Sequence, residues 1–142
     1  MTSPELDNLV KLGVLKREPG VQAEFDGLVR SGRVRLRDAG SKALSPESRF
    51  DLAYNAAHAL SLAALRWHGF RTDKRFAVFQ ALAHTLGLEA RMWRVLAKSH
   101  ERRNLAEYEG LVDFDERLLA DLLAATRVVQ DAVMKLGPIP RS

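Results

Sequence analysis

The chain has 142 residues and a mass of 15.9 kDa, the size of one domain, and its 46% hydrophobic and 28% charged residues match a folded globular protein rather than a disordered or fibrous one. It contains no cysteine, which removes disulfide frameworks, thiolate metal sites, iron–sulfur clusters and thiol nucleophiles together. The net charge of +4 is carried by the middle of the chain: residues 66–103 hold nine basic and three acidic side chains, against nine and eight in 1–65 and four and seven in 104–142.

Helical periodicity runs through the whole sequence. Ser3 followed by Pro4 is a cap with proline at the first helical position, and Leu6, Leu9, Val10 and Val14 predict a short helix to about Leu15. Glu18-Pro19-Gly20 interrupts the pattern. Val21, Phe25, Leu28, Val29, Leu36 and Ala39 then predict a second, longer helix, weakened in the middle by Ser31-Gly32, where a bend is left open.

Ser45-Pro46-Glu47 repeats the start signal, and no breaker follows until Gly69. This third helix is the central one, with Phe50, Ala53, Tyr54, Ala57, Leu60, Ala64 and Trp67 at three- and four-residue intervals. Ala56, Ala59 and Ala63 keep its flanks small enough for a close neighbour, and they motivate a dimer with this helix, or the one carrying Arg103, near the two-fold axis.

Two helices are expected near 73–86, with Phe76, Phe79, Leu82, Ala83 and Leu86 inward, and near 89–105, with Met92, Val95 and Leu96 inward. Asp113 and Glu116 have the spacing of a capping box, and the last helix carries Leu118, Leu122, Ala125, Val129, Val133 and Leu136 before Gly137-Pro138. No stretch alternates as a strand does. The fold class is therefore all-α, an antiparallel bundle of about five to six helices: residues 1–45 form an N-terminal extension packed on the core, 46–137 the bundle, and 138–142 a flexible tail, all in one compact unit. No apolar run approaches the roughly 18–20 residues of a membrane span and no signal-peptide pattern opens the chain, so a cytoplasmic protein with no membrane partner is expected.

The chemistry is narrower. His58, His68, His84 and His100 are ten, sixteen and sixteen residues apart, so none forms the i, i+4 pair that binds metal on a helix, and no metal site is expected. The phosphate loop, the dinucleotide fingerprint and the nucleophile elbow are all missing, and no cofactor is expected. Two polar clusters remain. Asp51, Asn55 and His58 share one face of the third helix, either as the wall of a site or as partners of neighbouring helices. Arg102, Arg103, Asn104 and Tyr108 mark the end of the fifth helix, either as an anion-binding patch or as a helix end with an arginine paired to Glu107.

The stretch Ala-Tyr-Asn-Ala-Ala-His-Ala-Leu, residues 53–60, taken with Arg-Asn-Leu-Ala-Glu-Tyr-Glu-Gly, residues 103–110, resembles the HEPN superfamily of small helical-bundle proteins over roughly residues 46–136. The resemblance implies a homodimer with a polar cleft and, in catalytic members, metal-independent RNA cleavage by an Arg-x(4–6)-His motif. Arg103 and Asn104 match the start of that motif, but Tyr108 stands where histidine is expected. A tyrosine with an ordinary pKa near 10, against about 6.5 for histidine, is a poor proton shuttle at neutral pH. The expectation is a non-catalytic member that binds a nucleotide, an RNA end or a partner protein, as in toxin–antitoxin pairs or beside a minimal nucleotidyltransferase. Two alternatives stay open: a toxin-type endoribonuclease using Arg103 with His100 or His58, and a purely structural or regulatory interaction protein.

Overall fold

The structure, a computed structural model, describes residues 3–109 and 116–140, with 105–109 described by their backbone alone. Its elements in chain order are α1 (Pro4–Lys11), β1 (Lys16–Arg17), α2 (Gln22–Ala39), α3 (Pro46–Trp67), β2 (Phe70–Arg71), α4 (Arg75–Gln80), α5 (Leu82–Thr85), α6 (Ala90–Glu109) and α7 (Glu116–Met134). The protein is an all-α helical bundle built around α3.

The serine–proline signals act as caps: Ser3 accepts from the backbone N–H groups of Glu5 and Leu6, and Ser45 from that of Ser48. The first helix is shorter than its periodicity predicts. Gly13 takes a left-handed φ of +74°, which turns the chain out of α1 so that Leu15 drops into a small core with Leu6, Leu65, Phe70, Val78 and Ala81. The larger core lies where α2, α3, α6 and α7 meet. Phe25, Leu36 and Ala39 of α2 belong to it, so the first 45 residues supply part of the core itself.

β1 pairs antiparallel with β2, Lys16 opposite Arg71 and Arg17 opposite Phe70. Strands of two residues are too short to leave an alternating pattern in sequence. The expected helix over 73–86 is present as α4 and α5, joined at Ala81 in helical conformation, and it exposes Phe76 where that residue was expected inward. Near the C-terminus the Ile139 N–H donates to the Gln22 side chain at 2.8 Å, and the Trp67 indole donates to the Gly137 carbonyl at 3.1 Å. The proposed cap at Asp113 lies outside the described residues.

α2 runs through Ser31-Gly32 as one helix, and Gly32 lies against Leu60 of α3. A Cβ at Gly32 would stand 2.5 Å from Cγ of Leu60, whereas one at Gly27, on the open side of the same helix, would meet nothing within 4 Å. Gly32→Val should therefore destabilise the fold by about 1–3 kcal/mol through overpacking. Gly27→Ala should stabilise it by up to about 1 kcal/mol through helix propensity alone. Urea unfolding of both variants checks the contrast, and a Gly32→Val protein as stable as the parent would refute the packing role.

Candidate functional site

Ala56, Ala59 and Ala63 are buried within the chain, so α3 spends its small-residue face on its own neighbours and does not present it to a second copy. Its polar face meets α4 and α6. Tyr54, part of the apolar stripe in sequence, is fully buried, and its hydroxyl lies 2.7 Å from Nδ1 of His100 on α6. Phe79 of α4 closes the floor, edge-on to Tyr54 at 5.9 Å and to His58 at 6.2 Å between ring centroids.

Two guanidinium groups converge on the Tyr54 ring. The central carbon of Arg103 lies 5.0 Å from the ring centroid and that of Arg75, at the start of α4, 5.7 Å. Such cation–π contacts tolerate desolvation of a guanidinium but satisfy none of its N–H groups. Arg103 also stands 3.6 Å from the Asp51 carboxylate, an ion pair whose acidic member is 62% exposed and is therefore weak. Nη1 of Arg75 is shielded from solvent and has no hydrogen-bond partner among the described residues.

This arrangement pairs the two polar faces singled out in sequence through Asp51 and Arg103, with His58 and Arg103 close enough to interact electrostatically. Asn55 turns back instead, donating to the Asp51 carbonyl of its own helix at 2.9 Å. Asn104 bonds within α6, its Nδ2 3.3 Å from Nε2 of His100. Arg102 is half-buried and forms no ion pair with a described residue. The side chains of Tyr108 and Glu107 lie outside the described residues.

Electrostatics follow from the crowding of cations. Burial, then the charges of Arg75, His100 and Arg103, push His58 down to about 4. Burial and the same two arginines lower His100 as well. At neutral pH both imidazoles are uncharged and the guanidinium groups carry the positive charge. Both ring nitrogens of His100 are engaged, one by Tyr54 and one by Asn104. Beside the cluster, Phe76, 47% exposed, stands edge-on to Trp93 at 6.5 Å and opens on a recess of about 480 Å³ whose wall includes His100 and Asn104.

Sequence reasoning missed Arg75, which sits on a short helix without a cap signal and reaches the site only through tertiary packing. It also left Tyr54 out of the candidate site. Among the described residues no group of three or more histidines and carboxylates is placed to hold a metal ion, and no helix is long and apolar enough to cross a membrane. No family model, curated protein or solved structure matches the chain.

Proposed function

We propose that this protein is a non-catalytic, HEPN-like binding protein that holds the phosphate of a nucleotide or RNA end between Arg75 and Arg103. The observation that carries this reading is the convergence of two guanidinium groups, those of Arg75 and Arg103, on the Tyr54 ring beside the exposed Asp51 carboxylate. A phosphate in place of the exposed Asp51 carboxylate is a stronger, bidentate partner for a guanidinium. Phe76 and Trp93 offer aromatic surface for a base next to that phosphate. A cytoplasmic homodimer, acting with a minimal nucleotidyltransferase or within a toxin–antitoxin pair, is the setting that the family resemblance suggests.

Metal-independent RNA cleavage by Arg103 with His58 is the second reading, favoured by a His58 imidazole that makes no hydrogen bond to a described residue. Its low pKa, about 4, counts against it, because so weak a base moves protons poorly at neutral pH. The engagement of both His100 nitrogens likewise speaks against that residue as the shuttle.

Fluorescence anisotropy with a short single-stranded RNA bearing a terminal phosphate tests the proposal. Arg75→Ala and Arg103→Ala should each weaken binding by about ten- to a hundredfold, the worth of one charge-assisted hydrogen-bond set. Affinity should fall steeply with salt. Binding indifferent to both substitutions would refute the site, and cleavage in EDTA lost in Arg103→Ala or His58→Ala would promote the second reading.

A further inference from the structure

Away from Arg103, an open groove of about 950 Å³ runs between α2 and α7. It is lined from Gln22 to Gly40, the length of α2, or about 27 Å at 1.5 Å per residue. Its floor is apolar: Phe25, Val29 and Leu36 form one stripe of α2, and Val133 and Met134 face them from α7. Val34 and Met134 remain 39% and 49% exposed there.

Arg30, Arg33 and Arg37 recur on α2 as a second stripe beside the apolar one, and Arg127 faces them from α7. Asp26 and Asp131 are the opposing charges along the groove, leaving it net positive. Arg30, Arg33 and Arg127 form no ion pair or hydrogen bond with any described residue, and Arg37 makes a 3.4 Å contact with its exposed neighbour Asp38.

We propose that this groove docks an acidic amphipathic helix of a partner protein, its apolar side chains over Val29 and Met134 and its carboxylates on Arg30, Arg33, Arg37 and Arg127. An apolar trough about as long as a five-turn helix, flanked by arginines at three- and four-residue spacing of which only Arg37 has an ion-pair partner among the described residues, complements that chemistry. A nucleic acid backbone would engage the arginines and leave the apolar strip uncovered. A second copy fits poorly, because antiparallel pairing about the centre of α2 would set Arg30 and Arg33 of both copies against one another. The inference is independent of the phosphate site, with which the groove shares no residue.

The probe is a fluorescein-labelled helical peptide of about 18 residues with leucines at i, i+3, i+4 and i+7 and glutamates on the flanks, titrated with the full chain. It should bind, and Arg30→Glu combined with Arg33→Glu should weaken binding at least about tenfold while helicity by circular dichroism is kept. Lysine in place of glutamate in the peptide should weaken binding to the parent protein by a similar factor, and Arg103→Ala should leave it unchanged. The proposal is overturned if the glutamate peptide does not bind, or if the lysine or scrambled peptide binds equally well. Displacement by a uridine oligonucleotide would make the groove a polyanion site instead. Sedimentation showing a parent dimer that the double variant dissociates would assign it to a second copy.

Discussion

Replacing Arg66 with methionine is expected to destabilise the fold by about 3–5 kcal/mol, the usual effect of removing one partner from a buried ionic network. Arg66 is fully buried at the end of α3 and uses its whole guanidinium fork. Nε donates to Glu24 at 2.7 Å, Nη1 to the carbonyls of Glu18 and Phe70 at 2.8 and 3.1 Å, and Nη2 to the Pro19 carbonyl at 2.9 Å. Arg71 completes the network on Glu18 and Glu24, and these two arginines, Arg66 first, hold the Glu24 carboxyl below its ordinary range. Methionine fills much of the volume but leaves three carbonyls without their donor. Lysine keeps the charge and loses the planar fork, so Arg66→Lys should recover only a minor part. Thermal unfolding should show a midpoint lowered by roughly 10–20 °C in Arg66→Met, and a loss below about 1 kcal/mol would refute the clasp.

The second large effect is a loss of stability in mild acid that originates at His58. Its folded pKa, about 4, lies below the value near 6.5 expected in the unfolded chain, so between those values the unfolded chain binds the proton and the folded one does not. Stability therefore falls as pH drops from about 6.5 towards 4, by on the order of 2–3 kcal/mol at pH 4.5. His100 and His68, also lowered chiefly by burial, act in the same direction. His58→Leu should remove its share, so the gap between parent and variant in urea unfolding at pH 7.5 should shift by that amount at pH 4.5. Parallel pH profiles for the two proteins would refute it.

What the sequence discloses divides along local and tertiary lines. The caps at Ser3 and Ser45, the unbroken run of α3 and the spacing of Leu118, Leu122, Val129 and Val133 are local signals, and they specify an all-α bundle. Gly13 is local too, but only its positive φ reveals that it ends α1 early. The neighbouring of Asp51 and Arg103 could be anticipated from two helix faces, whereas Arg75 could not, since nothing in Lys74-Arg75-Phe76 indicates which side of the bundle it will meet. Arg66 reads in sequence as an ordinary cation near a helix C-terminus, where the helix dipole favours it. Its burial depends on carbonyls and a carboxylate more than forty residues away in sequence. Phe76 misleads for the opposite reason: an apolar residue at the right spacing on so short a helix need not find a core.

The same clasp bears on the expected order of folding events. The carbonyls of Glu18 and Phe70 that Arg66 joins are 52 positions apart in the chain, from 18 to 70, with both α2 and α3 between them. Closing so long a loop before those helices have packed would sacrifice chain entropy for a few polar contacts, whereas the connection between α2 and α3 is short and their pairing is nearly local. The α2–α3 pair is therefore expected to form first and the carbonyl contacts of the clasp afterwards. A contact made after the rate-limiting step leaves the folding rate almost untouched and governs the lifetime of the native state, so Arg66→Met is expected to act chiefly by speeding unfolding.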